Sequence, residues 1–249
     1  YTSRGCRHHC AYCSSPKLWG QVHRYRPAEQ VVAEWRQLRV DHGVDGILIE
    51  DDLFTHDKER VAELCEQLIR KAPGVTWELL NGVRPDSVDS SLLSLMARAG
   101  CTRIAFGIET AGAKSLKRMG RTPNMAKVAD LVRSAANVGL STTGYFMIGL
   151  PGETEADRNE MFDWATKLPL DFAHFCQASA WPGTRWNPED LTPLPPKVRA
   201  TLYAKYYLHP GRARRLMRAM NLSWVSILDL TRRWMRWVQQ PIQSKGNSR

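Results

Sequence analysis

The sequence predicts an α/β fold, a partial TIM-type (β/α)6 barrel followed by a C-terminal helical extension. Apolar and β-branched runs alternate with segments of helical periodicity, which is the pattern of a parallel sheet with helical crossovers. The 249 residues suffice for one barrel-sized domain with a buried core. After Trp181 the pattern changes to a Pro-rich linker and then to basic helical segments.

Short apolar runs bounded by turn residues are predicted as strands. The five runs are Gly46 to Asp51, Val75 to Leu80, Thr102 to Ile108, Ser141 to Ile148 and Asp171 to Ser179. A sixth strand is expected to end at Tyr1 and Thr2. Because the sequence starts at Tyr1 rather than Met and leads directly into a cysteine cluster, we interpret it as a fragment that lacks an N-terminal region.

The helices between these runs have recognisable ends. Pro27 is suited to the first turn of a helix over 28–42, which Gly43 ends, and Asp57 is suited to cap the next helix. Further helices are predicted over Ser90 to Ala99, Asn124 to Val138 and Thr154 to Lys167. Gly100 and Gly139 fall where a left-handed cap is needed.

Composition and charge narrow the function classes. Hydrophobic residues make up 43% of the chain and the mean hydropathy is -0.40. No apolar run approaches the roughly 20 residues that a membrane-spanning helix needs, so a transmembrane protein is excluded. Residues 191–249 carry 12 Lys and Arg against one acid, Asp229, whereas residues 1–190 are almost neutral. The net charge of +10 therefore belongs to the C-terminal segment.

Cys6, Cys10 and Cys13 have the spacing C-x3-C-x2-C directly after the expected first strand. Three thiolates from one loop can hold three irons of a [4Fe–4S] cluster and leave the fourth iron open. A structural zinc site completed by His8 or His9 is the alternative, and disulfides or uncoordinated thiols are a third. Three of the six cysteines within eight residues make a poor disulfide framework, which favours a reduced, cytoplasmic setting.

The cysteine spacing and several later strings together resemble the radical S-adenosylmethionine (radical SAM) superfamily over about residues 1–187. The strings are TSRGC, CSSPKLWG, EDDLFTHD, FGIET, GYFMIGLPGET and DFAHF. They are most similar to the class that carries an upstream cobalamin-binding domain, including anaerobic magnesium-protoporphyrin cyclases and carbon methyltransferases. The resemblance implies an enzyme that cleaves SAM at the open iron to methionine and a 5′-deoxyadenosyl radical, which abstracts hydrogen from a substrate.

The same resemblance assigns SAM contacts at the carboxyl ends of strands, where barrels and open sheets bind ligands. Glu50, Asp51 and Asp52 occupy the place of the motif that receives the SAM ammonium group. An acidic turn before a helix is the alternative interpretation of these three residues. Arg84 is assigned to an anion such as the methionyl carboxylate, and a surface salt bridge is the alternative.

Two further strand ends complete the implied SAM site. Glu109 is placed on the SAM ribose or amino group, and Tyr12, before the third cysteine, is assigned to cofactor binding. Gly144 and Gly149, within the string that runs to Gly152, resemble an adenine-binding strand and turn. Pro151 also begins a plain turn, so a structural role is compatible with the same string.

Other chemistry-bearing residues have simpler interpretations. His174, within a strand, is more typical of a hydrogen-bonded core residue than of a catalyst. Cys176 is expected to line the barrel interior, where it is a minor candidate for radical chemistry. Cys65 and Cys101 are expected to pack in the core.

We expect three regions: a radical SAM core over 1–190, a basic helical extension over 191–240 and a disordered tail over 241–249. Residues 223–240 form a basic amphipathic pattern that fits a helix packed under the barrel, on another domain such as an N-terminal one, or on a membrane surface.

The expected partners are a small-molecule or lipid-like substrate and a reducing protein such as flavodoxin or ferredoxin. Nucleic acid is not expected. Cobalamin rests on the resemblance alone, because the Asp-x-His-x-x-Gly ligand motif does not occur in these residues.

Two alternative functions stay open at this point. RNA methylthiolation predicts a basic β-barrel after the core. A zinc-stabilised module that binds nucleic acid through the basic segment predicts zinc without iron.

Overall fold

The structure, a computed structural model, describes residues 1–220 together with residues 229 and 232. The chain divides into two compact units, Tyr1–Thr192 and Pro193–Arg249.

The first unit is built on a five-stranded parallel sheet whose strand order follows the chain, β3-β4-β5-β6-β7. The strands of the unit are β1 Ser3–Arg4, β2 Arg24–Tyr25, β3 Gly46–Ile49, β4 Thr76–Val83, β5 Cys101–Glu109, β6 Ser141–Ile148 and β7 Phe172–Gln177. Its helices are α1 Ser15–Trp19, α2 Ala28–His42, α3 Lys58–Lys71, α4 Ser90–Arg98, α5 Ala113–Arg118, α6 Met125–Asn137 and α7 Glu155–Thr166. This alternation confirms the predicted α/β class and its partial-barrel type.

The predicted helix ends are confirmed where a side chain caps the backbone. Asp57 accepts a hydrogen bond from the backbone N of Arg60, and Asn124 accepts from Ala126 and Lys127. Thr154 and Asp157 form a reciprocal capping box at the start of α7. Because these bonds join residues close in sequence, the first residues of α3, α6 and α7 could be predicted from the sequence.

The strand expected at Tyr1 and Thr2 is different in the structure. Ser3–Arg4 pairs antiparallel with Arg24–Tyr25, in a two-residue ladder apart from the main sheet. Thr2 lies at the end of β3 without joining it as a strand, because the Asp51 carboxylate accepts the Thr2 backbone N–H. Carboxylate bonds therefore take the place of a sixth strand among the described residues.

The hydrophobic core lies between one face of the sheet and the helices that connect the strands. Trp77 on β4 is fully buried, packs against Trp35 of α2 and donates its indole N–H to Ala99 O. Phe146 and Phe175 stack across β6 and β7 with ring centroids 5.5 Å apart. Alternate residues of β7, His174 and Cys176, are exposed on the opposite face.

In the second unit the described residues form two helices, α8 Pro196–Tyr207 and α9 Pro210–Met220. The Arg212 guanidinium lies 4.1 Å from the centroid of the Tyr206 ring. The expected amphipathic segment 223–240 and tail 241–249 lie outside the described residues. No helix in the part of the chain that the structure describes could span a membrane.

Gly100 and Gly139 both have positive φ, as predicted, but their surroundings differ. A Cβ on Gly100 would overlap the carbonyl oxygen of Val75, whereas a Cβ on Gly139 would meet nothing within 4 Å. Both alanine variants share the left-handed backbone strain, about 1–2 kcal/mol. Only Gly100→Ala adds a steric overlap with backbone.

We expect Gly139→Ala to lower the free energy of unfolding by about 1 kcal/mol and Gly100→Ala by at least about 2 kcal/mol more. Denaturant titration of the two variants beside the unsubstituted protein measures this difference. Equal losses of unfolding free energy in the two variants would show that the backbone at Val75 moves to accommodate the added Cβ.

Candidate functional site

The three cysteines lie on one loop between β1 and α1, at the carboxyl end of the sheet. Gly5 opens the loop with φ 94°, and a Cβ there would overlap the Val22 carbonyl. The backbone N of Ala11 donates to Met119 O at 3.0 Å, and Ala11 O accepts from the backbone N of Arg185 at 2.9 Å. Backbone bonds therefore hold the loop to the residue after α5 and to the segment that follows β7.

The thiols of the loop are half-buried and close enough to influence one another electrostatically. Burial raises the pKa of Cys6, and the neighbouring Cys10 and Cys13 raise it further. One nitrogen of Arg84, Nη1, lies 3.4 Å from the Cys10 Sγ and donates to it. The thiolate is the form of cysteine that binds metal.

The chemistry of the donor set, three thiols on one loop, fits an iron–sulfur cube. Among residues 1–220, 229 and 232, the structure shows no group of three or more His, Cys, Asp or Glu side chains that could hold a single metal ion. A closed zinc site needs four ligands around one ion, so a fourth side chain would have to join the thiols. A [4Fe–4S] cluster binds each thiolate to a different iron, so three thiols spread along one loop suit it.

The acidic turn after β3 supports the loop. Buried Asp51 accepts three hydrogen bonds, from the Thr2 backbone N, the Thr2 hydroxyl and the Ser3 hydroxyl, at 2.5–2.6 Å. Asp52 accepts from the Gly5 backbone N at 3.1 Å. Glu50 is exposed. The structure thus gives Asp51 and Asp52 anchoring bonds to the chain before Cys6, which the sequence pattern alone did not reveal.

A buried network joins the loop to the end of β5. Tyr12 donates its hydroxyl to Glu109 Oε1 at 3.0 Å, and Arg121 Nη1 lies 3.3 Å from the same oxygen. The Arg121 side chain is only 1% exposed. Its Nε and Nη2 are buried and find no hydrogen-bond partner within the described residues. A buried guanidinium with two unused donors is a strong site for an anion.

Glu109 has an unusual backbone as well as a largely buried side chain, which is 13% exposed. Its φ of 71° makes it the one positive-φ residue other than glycine in the described part of the chain. A non-glycine residue in this backbone conformation destabilises the fold by about 1–3 kcal/mol. Surrounding contacts must hold the residue there, and such residues are often found at functional sites. Burial raises the pKa of Glu109, and burial beside Glu109 raises the pKa of Tyr12 well above its usual range. A Cβ on Gly107 would lie 2.9 Å from Glu109 Oε1, so Gly107 provides the space for this carboxylate.

Arg84 lies between the cysteine loop and this network. Besides its contact with Cys10, it forms a two-pronged bond with Asp86, Nε to Oδ1 at 3.0 Å and Nη2 to Oδ2 at 2.7 Å. The fork fixes the guanidinium in one orientation.

Gly144 and Gly149 are not brought into this network. A Cβ on Gly144 would lie 2.7 Å from Leu170 Cδ1, and one on Gly149 would overlap the Gln177 amide. Protein atoms therefore fill the space that the missing side chains leave. The backbone N of Gly149 donates to Glu153 Oε2 at 2.7 Å, which pins the turn after β6.

Below the network, the face of the sheet away from the helices carries polar side chains. Tyr145 and His174 are register partners on β6 and β7, with ring centroids 5.5 Å apart. Tyr145 donates its hydroxyl to Leu80 O at 2.5 Å, and its ring lies 3.5 Å from where a Gly82 Cβ would stand. His174 thus lies on an open face rather than in the core.

Arg121 is the site residue that sequence reasoning missed. It follows Met119 and Gly120 after a short helix, α5, that was also not predicted. The string KRMGR has the appearance of a solvated basic run. Only the fold shows that its last arginine turns inward.

Comparison with known proteins agrees with this geometry. The sequence profile described as the Radical SAM superfamily matches residues 1–165. Cytidylyl-2-hydroxyethylphosphonate methyltransferase of Streptomyces wedmorensis is 33% identical over 186 residues, covering 72% of this chain and 34% of the relative. Anaerobic magnesium-protoporphyrin IX monomethyl ester cyclase of Rubrivivax gelatinosus is 28% identical over 180 residues, covering 72% and 32%. The chain therefore spans about a third of the length of these relatives.

A solved structure shares the fold. The radical S-adenosylmethionine methyltransferase TsrM from Kitasatospora setae, with cobalamin and a [4Fe-4S] cluster bound, superimposes with a TM-score of 0.68 at 21% identity. The match covers 74% of this chain and 37% of TsrM.

Alkylation tests the cysteine assignment without an activity assay. Burial raises the pKa of Cys65 to about 12 and raises that of Cys101 as well, whereas Cys176 is exposed. After reconstitution with iron and sulfide, we expect iodoacetamide at pH 8 to modify Cys176 alone. After iron removal, Cys6, Cys10 and Cys13 also react, and Cys65 and Cys101 react only in denaturant.

Peptide mass spectrometry reads out each site separately. If a loop cysteine is modified as fast in the iron-loaded protein as without iron, that cysteine is not a ligand of the cluster.

Proposed function

The chain belongs to the radical SAM superfamily, and from this premise we propose that it is the SAM-cleaving core of a radical enzyme. The observation that carries the proposal is the position of Arg121, which is buried with two unused donors and contacts Tyr12 on the loop of three thiols. Cys6, Cys10 and Cys13 are the proposed ligands of a [4Fe–4S] cluster. When bound, this cluster supplies the electron that splits the sulfonium of SAM into methionine and a 5′-deoxyadenosyl radical.

The protein's proposed part is to hold the two charges of the methionyl group. Arg121 is suited to its carboxylate, because a guanidinium pairs with a carboxylate in a fork. Glu109, which already accepts from Tyr12, is suited to the SAM ammonium or to a ribose hydroxyl. Both side chains are fixed before any ligand arrives, so little conformational entropy is lost on binding.

Arg84 has a different proposed role. It is proposed to position the Cys10 sulfur by donating to it, and Asp86 holds the guanidinium in place. Asp51 and Asp52 are proposed to anchor the loop rather than to receive SAM, since their carboxylates already accept hydrogen bonds from Thr2, Ser3 and Gly5.

We propose that a substrate lies on the open face of the sheet, in contact with Tyr145 and His174. A small-molecule or lipid-like substrate, a reducing protein and a cytoplasmic location belong to this proposal. Cobalamin is proposed for the whole protein through residues outside this chain, by likeness to the class in which TsrM binds it. Methyl transfer and cyclisation are both chemistries of the relatives named above.

RNA methylthiolation is less well supported by the second unit. That function predicts a basic β-barrel after the core, whereas residues 196–207 and 210–220 are helical.

Radical cleavage is tested by anaerobic reconstitution, reduction with dithionite and chromatographic detection of 5′-deoxyadenosine. We expect product from the reconstituted protein and a loss of at least 100-fold in Cys10→Ala, because one iron loses its ligand. Cys65→Ala, a matched cysteine change in the core of α3, should retain cleavage. Product formation in Cys10→Ala at the unsubstituted rate would contradict the proposed ligand set.

The role of Arg121 is tested by SAM binding to the reconstituted protein, measured by calorimetry. Arg121→Lys keeps the charge and loses the fork, so we expect at least a tenfold rise in Kd, on the order of 1.4 kcal/mol or more. Arg118→Lys is the control, because Arg118, the last residue of α5, is exposed and donates to Pro151 O. Thermal denaturation shows whether each variant stays folded. An unchanged Kd in folded Arg121→Lys would place the SAM carboxylate elsewhere.

A further inference from the structure

One cation lies within the sheet itself, on its open face. Among the described strands β3–β7, Arg103 of β5 is the only Lys or Arg. The register places it between Glu78 of β4 and Ser141 of β6. Because alternate residues of a strand share a face, Arg103 lies on the face that carries Tyr145 and His174. A charge in such a position requires a partner.

The protein pairs this cation incompletely. Arg103 Nη1 lies 3.6 Å from Glu78 Oε2, which is an ion pair but is longer than a hydrogen bond. The Arg103 Nε is buried and finds no hydrogen-bond partner within the described residues. The side chains of Arg103 and Glu78 are 36% and 32% exposed, so a ligand can reach them from the open face. Unlike Arg84, which Asp86 holds in a two-pronged bond, Arg103 therefore keeps donors for another acceptor.

Two hydroxyls on the neighbouring strand are also unused. Ser141 Oγ and Thr143 Oγ1 are buried, and neither has a hydrogen-bond partner in the part of the chain that the structure describes. Thr143 as a whole is only 2% exposed. Unpaired buried polar atoms are uncommon in native proteins, and each needs an explanation. Together with the Arg103 Nε, these hydroxyls mark a polar site that the protein itself leaves incomplete.

Aromatic rings line the same part of the face. The Arg103 guanidinium lies 5.2 Å from the centroid of the Phe172 ring, a contact that orients it. Phe172 precedes His174 by two residues, about 7 Å along the strand. Desolvation lowers the pKa of His174 and the Arg103 charge lowers it further, so the field of the cation reaches this imidazole. One positive charge thus lies beside the rings of Phe172, Tyr145 and His174.

We propose that Arg103 binds a carboxylate of the substrate, whose apolar, ring-bearing body lies against Phe172, Tyr145 and His174. This inference rests on the proposed function, because it assigns a chemical class to the substrate proposed for this face. A guanidinium binds a carboxylate in a planar fork. A carboxylate suits the site better than a phosphate, since one guanidinium neutralises one negative charge and the nearby Glu78 repels a second.

Binding of a small carboxylate tests the proposal. The probe is 1-naphthoate, and 1-naphthamide is its uncharged counterpart of similar shape. Ligand-observed NMR titration of the full chain measures both Kd values near neutral pH, where the naphthoate is ionised. We expect naphthoate to bind at least tenfold more tightly than naphthamide, because only the ion gains a charge-assisted bond. Equal Kd values for the two probes, or no naphthoate binding at millimolar concentration, would overturn the proposal.

Substitution of the cation locates the bound probe. In Arg103→Gln we expect the naphthoate Kd to rise at least tenfold and the naphthamide Kd to change less than twofold. Arg133→Gln is the matched control, because Arg133 also forms an ion pair, with Asp130, but on the exposed side of α6. Arg121→Lys separates this site from the one proposed for SAM. The naphthoate Kd should stay within twofold in both control variants, and a rise confined to Arg121→Lys would place the probe in the SAM site and overturn the proposal.

Glu78→Gln distinguishes a binding role of Arg103 from a structural one. If the two residues only stabilise the sheet as an ion pair, either substitution lowers the melting temperature and neither changes the naphthoate Kd of the folded protein. If Arg103 binds a carboxylate, removal of the Glu78 charge removes a repulsion, and we expect the naphthoate Kd to fall at least threefold. Thermal denaturation shows that each variant is folded. A rise of Kd in Glu78→Gln would overturn the assignment even if Arg103→Gln does not fold.

A third probe, 1-naphthyl phosphate, tests the charge of the ligand. Tighter binding of this dianion than of naphthoate, lost in Arg103→Gln, would show a phosphate site and overturn the carboxylate assignment.

The titrations require neither the cluster nor SAM, so the two proposals fail separately. If the unsubstituted protein forms 5′-deoxyadenosine but Arg103→Gln leaves the naphthoate Kd unchanged, the carboxylate site is wrong and the proposed function stands. Naphthoate binding that depends on Arg103, in a reconstituted protein that forms no 5′-deoxyadenosine, supports the carboxylate site and counts against the proposed function.

Discussion

The hydrogen bonds of the Asp51 carboxylate determine where the cysteine loop begins. The loop has little regular structure of its own, so its position depends on bonds to its neighbours. Asp51 stands at the end of β3 and ties down Thr2 and Ser3, while Asp52 holds Gly5. A charge-assisted hydrogen bond to a buried carboxylate is roughly twice as strong as a neutral one. The sheet thereby fixes the first thiol relative to the strand ends that carry the remaining site residues.

Around the loop, charge is arranged before any cofactor binds. Arg84 is held by Asp86 and directed at the Cys10 sulfur, and Arg121 is held by Glu109. Fixed dipoles and charges in a buried site need no reorganisation when a ligand arrives. The strained backbone of Glu109 and the absent side chain of Gly107 belong to the same arrangement, since together they direct a carboxylate across the mouth of the barrel.

The elements with local signals could be predicted from the sequence. Capping by Asp57, Asn124 and Thr154 is decided within four residues, and the five sheet strands follow from short apolar runs. The β1–β2 ladder has two residues per strand, too few for a pattern, and its pairing is set by contacts distant in sequence.

The candidate site was predicted only where its residues have a local signal in the sequence. Cysteine spacing is a local signal, and the strand-end position of Glu109 follows from the pattern. Arg121 could not be predicted, because the burial of an arginine depends on packing around a short unpredicted helix. A glycine at position 144 could make room for a ligand or for a protein side chain, and the sequence does not distinguish the two. In the structure Leu170 occupies that space.

The sheet runs from β3 to β7 in chain order, and no strand of the described residues joins its two edges. A closed eight-stranded barrel fills its own interior with side chains. Here β3 and β7 are the two edges of an open sheet, and the face proposed to bind substrate, with Tyr145 and His174, belongs to that sheet. An open sheet, unlike a closed barrel, sets no fixed diameter for a molecule that binds on such a face.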